Sequence, residues 1–276
     1  MELPFRELTA LALRCAAQTE GNTVPVPGEA RRLTIFGEPI LGAADAADPV
    51  FDSFRSPDVI GENYMPPREW MPGAGTVLSF AFPYTEEVRR SNGRPGETAT
   101  SVEWTLGRYE GEVYLLAFAG ALQKELEGMG FACLRPPGDP RFGLKPRLLE
   151  GNGPADFRME SRWSERHAAF ACGLGTFGLS RGLITEKGMA VRFVSLITDA
   201  VTEPTPRTYT AYDEWCTRCG ACIRRCPAEA ISLEYGKNNI RCKQWVDRTR
   251  ELYAPRYGCG KCQLAVPCES RRPKKA

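Results

Sequence analysis

The sequence predicts an α/β protein of the α+β kind in two parts: a layered body over residues 1–205 and a small cysteine-rich domain over residues 206–276. Three observations predict it. Eight of the eleven cysteines fall between positions 216 and 268, while Cys15, Cys133 and Cys172 are scattered through the rest. A strand, a long helix and another strand succeed one another between residues 76 and 134, the order of a layered α/β unit. Residues 200–207 (Ala-Val-Thr-Glu-Pro-Thr-Pro-Arg) make a proline-rich connection between the two parts.

The elements follow in order. Residues 4–18 read as a helix carrying Leu8, Leu11, Leu13 and Cys15 among polar positions. Residues 20–74 are rich in Gly, Pro and Asp. A strand is expected at 33–36 and a short helix at 49–54, with Asp48 as its cap and Pro49 in its first turn. The remainder of that span reads as irregular chain wrapping a core, suited to a binding surface. Residues 76–82 (TVLSFAF) form a strand ended by Pro83. Residues 103–128 give the longest helix, with Tyr114, Leu115, Phe118, Leu122 and Leu126 at helical spacing and a stop at Gly128-Met129-Gly130. A strand at 131–134, a helix at 164–171 and a strand at 191–198 complete the body.

Composition bounds the function. Hydrophobic residues are 42% and charged residues 25%, values of a globular chain with a real core, and the net charge of +2 gives no argument for nucleic acid or membrane binding. The basic stretch Arg271-Arg272-Pro273-Lys274-Lys275 reads as a solvated end. Met1-Glu2-Leu3-Pro4 opens into a helical pattern without a basic leader. The longest apolar stretch, 113–122, is too short for a bilayer. A reducing, cytoplasmic address is therefore expected, where dense cysteines signal metal rather than disulfides.

The cysteine spacing identifies the metal. Cys216-x2-Cys219-x2-Cys222-x3-Cys226-Pro227 is the run of bacterial ferredoxins, in which three thiolates at i, i+3 and i+6 wrap one 4Fe–4S cubane and the fourth serves the other cluster. Pro227 suits the start of a helix, and Gly220 and Ala221 let the backbone approach the inorganic sulfides. Cys242, Cys259-x2-Cys262 and Cys268 make a stretched second set. The crossing of two-cluster ferredoxins gives Cys216, Cys219, Cys222 and Cys268 to cluster one, and Cys226, Cys242, Cys259 and Cys262 to cluster two. Structural zinc would use paired knuckles, without a third Cys at i+6 or the following Cys-Pro. Cys15, Cys133 and Cys172 read as small buried hydrophobes, with Cys172 a candidate functional thiol beside a glycine loop.

A ferredoxin alone needs far fewer residues, so the electrons are expected to serve something bound by the body. Gly173-x-Gly175-x-x-Gly178 has the spacing of a nicotinamide loop but follows a helical segment, so that fingerprint is weak and the alternative is a tight turn with close packing. The run Glu165-Arg166-His167-Ala168-Ala169-Phe170-Ala171-Cys172-Gly173-Leu174-Gly175-Thr176-Phe177-Gly178 is followed by Leu183-Ile184-Thr185 and Phe193-Val194-Ser195-Leu196-Ile197-Thr198-Asp199. Together with the Cys216–Pro227 run and Cys259-Gly260-Lys261-Cys262, it resembles the epoxyqueuosine reductases, a cobalamin-dependent family related to reductive dehalogenases. The resemblance covers roughly residues 160–268. It implies a nitroreductase-like domain holding a base-off corrinoid beside a two-cluster ferredoxin-like domain, and an oxygen-sensitive reductase fed by a low-potential donor of ferredoxin or flavodoxin type. Gly173, Leu174, Gly175, Thr176 and Gly178 match the corrin-side loop.

Two departures stand out. Where that family has Asp-Thr-Ala-Pro before the Glu-Arg pair, this chain reads Arg158-Met159-Glu160-Ser161-Arg162-Trp163, with Glu160 as the replacement candidate. The sequence also ends eight residues after Cys268, without the helical repeats that grip tRNA in some members. The expectation is therefore a reductase of a small molecule, with tRNA not expected as a partner. An electron-transfer protein that reduces a corrinoid or other redox partner, and tRNA epoxyqueuosine reduction itself, are the alternatives. Glu160 and His167, the only histidine, are the catalytic candidates. Glu165 and Arg166 read as an ion pair or a cofactor contact, and Tyr64, Tyr84, Tyr109 and Tyr114 as further proton donors or core aromatics.

Overall fold

The structure, a computed structural model, describes residues 1–94, 96–148 and 157–274. Its centre is a four-stranded antiparallel sheet in the order β3 (Ile40–Asp45), β4 (Thr76–Pro83), β10 (Val191–Thr198) and β5 (Cys133–Leu134). Ser79 of β4 faces Gly42 on one side and Ser195 on the other. The unbroken apolar run of β4 has a direct cause. Leu78, Phe80 and Phe82 point into a core shared with helices α1 (Phe5–Gln18) and α5 (Val102–Gly128). Val77 and Ala81 point into a second core beneath α6 (Glu165–Ala171). A strand covered on both faces needs apolar side chains at every position.

Short elements fill the connections. β1 (Thr23–Pro25) and β2 (Arg32–Thr34) form a hairpin, followed by α2 (Val50–Ser53), α3 (Pro67–Trp70) and α4 (Glu86–Gly93). Two further hairpins pair β6 (Leu144–Leu148) with β7 (Phe157–Ser161) and β8 (Gly175–Phe177) with β9 (Leu183–Thr185). At α2 the Val50 amide donates to Asp48 Oδ1 at 2.9 Å, and Pro49 is already helical, as the sequence predicted. The strand expected at 131–134 is only two residues long. The helix end explains it: the amides of Met129, Gly130 and Phe131 donate back to the last carbonyls of α5, which leaves residues 129–131 in the cap.

The C-terminal part contains α7 (Ala221–Arg224), β11 (Ile231–Ser232), β12 (Gly236–Lys237) and α8 (Asn239–Tyr253). It leans on the body. Trp215 and Val266 enter the core under α6, and Leu264 enters the core under α5. Lys261 is buried with its ammonium on Asn92 O at 3.0 Å, while Asn92 Nδ2 donates to Cys259 O at 2.7 Å. Among the described residues no helix is long and apolar enough to cross a membrane.

Phe118 of α5 stands edge-on to Phe80 and Phe82, with ring centroids 5.1 and 4.9 Å apart, and is fully buried. Phe118→Ala is expected to cost about 3–5 kcal/mol through lost burial and the cavity left behind, read as a lower urea midpoint at unchanged slope.

Candidate functional site

The cysteine loops are built on two equivalent turns. Cys219-Gly220-x-Cys222 and Cys259-Gly260-x-Cys262 each place glycine in the left-handed region, at φ 72° and 66°, just before a helical turn. Only glycine adopts this conformation readily, and the reversal turns both flanking thiols to one side. Gly260 is required twice over, because a Cβ there would lie 2.0 Å from the Trp104 ring.

The eight cysteines of the C-terminal part gather in two sets. Cys216, Cys219, Cys222 and Cys268 line one cavity of about 370 Å³. Cys226, Cys242, Cys259 and Cys262 line another of about 1030 Å³. The thiols also act electrostatically in these groups: Cys268 is raised by Cys216, Cys222 and Cys219, and Cys259 by Cys262, Cys242 and Cys226. Cys262 acts on Cys222 as well, so the two cavities adjoin. Burial is the first cause of the shifts, pushing Cys259 and Cys268 up to about 12 and Cys222 to about 11. Bare thiols would hold their protons there, whereas iron would displace them.

The two walls differ. Cavity one is mostly apolar, with Leu179, Ile184, Met189 and Val266. Cavity two carries Arg108, Arg166, Arg192 and Lys237 beside Tyr84 and Trp104. Burial and Arg108 lower the pKa of Arg192, whereas Arg166 is exposed on this wall, where the thiols of Cys262 and Cys242 favour its charge. Trp245 Nε1, buried in the same wall, has no protein acceptor. A cubane with four thiolates is anionic and rich in sulfur acceptors, and this set of donors fits one.

Three consecutive residues of α6 go to three places. Arg166 lines cavity two. Glu165 lies beside Ser195 and Trp163, which bond each other at 2.9 Å and leave both its carboxylate oxygens without a partner among the described residues, and burial pushes it up to about 7. His167 sits between Phe54 and Phe177, 5.1 and 4.7 Å away, with Nδ1 2.8 Å from Ser164 Oγ. Burial, then Arg166, pushes it down to about 3, so the imidazole is neutral near pH 7. No ion pair joins Glu165 to Arg166 among the described residues, since neighbours on a helix point about 100° apart, which removes the first of the two readings of this pair and leaves the cofactor contact.

The other candidates are placed as follows. Glu160 is buried, accepts from Asn63 Nδ2 and lines a separate cavity of about 410 Å³ with Arg141 and Arg162. Leu174, Gly175 and Thr176 are buried: the Gly175 amide donates to Tyr209 Oη at 3.1 Å, and Thr176 Oγ1 accepts from the Trp215 amide at 2.9 Å. A Cβ on Gly173 would lie 3.1 Å from Pro206 O, and one on Gly175 1.9 Å from Ile184 O. The loop is thus packed against protein, with Gly178 alone of the five on cavity one. That cavity is too small for a corrin. Cys172 is fully buried, its thiol donating to Val77 O at 3.3 Å, and burial raises its pKa far above the ordinary thiol value. Tyr64, Tyr84 and Tyr114 are core aromatics, and burial pushes Tyr114 up to about 12. Tyr109 is 38% exposed on α5. The arginines of cavity two escaped sequence reading because they come from three distant elements. The only signal was the Glu-Arg pair.

Comparison with known proteins places this arrangement. Residues 210–232 match the family model of the 4Fe-4S binding domain, so the chain carries an iron–sulfur module. No curated protein sequence matches the chain. The fold is that of reductive dehalogenases: the catabolic reductive dehalogenase NpRdhA aligns with 97% of this chain and 37% of its own, at 14% identity and a TM-score of 0.52. The epoxyqueuosine reductase of Streptococcus thermophilus aligns over 85% of this chain and 64% of its own, at 16% identity and a TM-score of 0.48. Another epoxyqueuosine reductase, solved with a tRNA-Tyr stem loop, aligns over 87% and 63%, at 18% identity and a TM-score of 0.49. The chain thus spans less than two thirds of the length of these proteins.

Glu165 yields a pH test. Its folded pKa of about 7 lies above the ordinary carboxyl value, so its contribution to stability is complete below about pH 4 and is lost as pH rises through about 7. Glu165→Gln is therefore expected to gain stability relative to the parent between about pH 5 and about pH 8. Urea unfolding of both chains at the two pH values measures that difference, in which titrations common to both cancel.

Proposed function

We propose that this chain is an iron–sulfur oxidoreductase that moves single electrons through two 4Fe–4S clusters to an acceptor held by its α/β body. Cys216, Cys219, Cys222 and Cys268 hold cluster one, and Cys226, Cys242, Cys259 and Cys262 hold cluster two. The observation that carries this reading is the division of eight thiols between two adjoining cavities, four to each. A low-potential donor of ferredoxin or flavodoxin type supplies the electrons, and a reducing, cytoplasmic setting keeps the cysteines free. The acceptor is a small molecule, reduced directly or through a corrinoid. The shared fold with NpRdhA supports this, since one structure of the same fold is described in terms of B12-dependent dehalogenation.

Protein purified and reconstituted without oxygen is expected to hold about eight iron and about eight sulfide per chain. Near-zero iron with zinc in its place overturns the reading. Cys226→Ala should lose cluster two alone and keep about half the iron, although Cys226 sits in the first motif. Cobalamin titration then separates enzyme from carrier. A retained corrin with a base-off spectrum supports corrinoid-dependent reduction, and failure to bind leaves direct reduction or electron transfer to a partner. A gel shift with tRNA tests epoxyqueuosine chemistry.

Arg166 compensates the charge of cluster two from within its wall. Arg166→Gln is expected to lower the midpoint potential of that cluster and leave cluster one unchanged, with Arg166→Lys intermediate. Potentiometric titration followed by EPR reads both clusters. Equal shifts in both, or none, would count against this role.

A further inference from the structure

Of the basic stretch at 271–275, Lys275 lies outside the described residues, and Arg271, Arg272 and Lys274 are exposed as a solvated end requires, but the stretch is anchored. Pro273 is buried and lines cavity one. Arg272 lies over the Trp215 ring at 4.3 Å and reaches Glu186 at 3.8 Å. The segment is thus strapped across the first set of cysteines, with its exposed charges held there.

What it frames is an open concavity on the outer side of those cysteines. Cys216, Cys219 and Pro267 form its floor, and Arg218, Arg271, Arg272 and Lys274 stand around it, with no carboxylate in its lining. All four cationic residues are exposed, and so is Cys219. Asp213 and Glu186 meet Arg218 and Arg272 only in long contacts between exposed groups, at 3.7 and 3.8 Å, which contribute little. Arg271 and Lys274 have no ion pair among the described residues. Four cations here, in a chain whose net charge is only +2, make a local field that the average composition conceals.

We propose that this concavity is the docking surface for an acidic one-electron carrier protein, which delivers electrons to cluster one at the exposed Cys219 edge. The proposal rests on the two-cluster reading above and adds the place of entry. Charge complementarity selects the partner: a ring of cations steers an acidic surface and speeds its encounter. The position of the ring selects an electron carrier over a nucleic acid, because it surrounds the one cluster ligand that is exposed, whereas a phosphate backbone needs no such centre. Cavity two, walled by α5, α6 and α8, presents no exposed cysteine.

The test uses the anaerobically reconstituted full chain in stopped flow, with a reduced acidic ferredoxin as donor. The parent rate should fall as salt rises from roughly 0.05 to 0.5 M. Arg271→Glu/Lys274→Glu should be reduced about tenfold more slowly at low salt and lose most of the salt dependence. These two positions are chosen because Arg272 and Pro273 hold the strap in place. Photoreduced 5-deazaflavin, a small donor that needs no docking, should reduce both proteins at the same rate, which also shows that the variant is folded and loaded. An unchanged ferredoxin rate in the variant overturns the proposal. So does an RNA gel shift lost in the variant while electron transfer is unaltered. If 5-deazaflavin fails to reduce even the parent, the cluster reading falls and this proposal with it.

Discussion

Four thiols must be held around each of two adjoining cavities by a segment that has almost no core of its own. Helix α7 buries no residue, and Thr249 is the only buried residue of α8. The body supplies what is missing. Trp104 packs against Gly260 where any side chain would collide, Asn92 holds the Cys259 carbonyl and the Lys261 ammonium, and Arg89 pairs with Glu269 at 2.8 Å. A C-terminal part with so little apolar burial relies on docking to the body for its order. The cluster loops and the body therefore fold as one arrangement.

The same docking creates the electrical contrast between the two sites. Cavity two is closed by side chains of the body, three of them arginines: Arg108 and Arg192 share Glu112, while Arg166 has no ion pair among the described residues. Cavity one is closed by apolar residues of the β8–β9 region and by the 271–274 strap, with its cations outside. One cubane would thus be compensated from within and the other from its rim. Potentials respond to nearby charge, hydrogen bonds to sulfur and exposure, so two equal motifs acquire unequal surroundings through their neighbours alone.

Much of the body was readable because local rules fixed it. The helices at 5–18 and 102–128 follow their apolar period, and the strands at 76–83 and 191–198 their apolar runs. The cap at Asp48 is a matter of two adjacent residues. The hairpin of β1 and β2 was not read, because three-residue strands carry too little pattern. Consecutive residues of α6 misled in another way. Glu165 and Arg166 look like a pair in the sequence and diverge in the helix, one into an apolar setting and one into the wall of cavity two.

The sequence by itself determined the metal chemistry, since cysteine spacing is a local property and thiolates at i, i+3 and i+6 suit a cubane whatever surrounds them. It also predicted the sets of four, through the rule of two-cluster ferredoxins that the fourth cysteine crosses to the other set. Only the tertiary structure decided what faces each set. The arginines of cavity two converge from α5, α6 and β10, and the strap at 271–274 is placed by Trp215. Contacts between residues far apart in the chain leave no spacing to read.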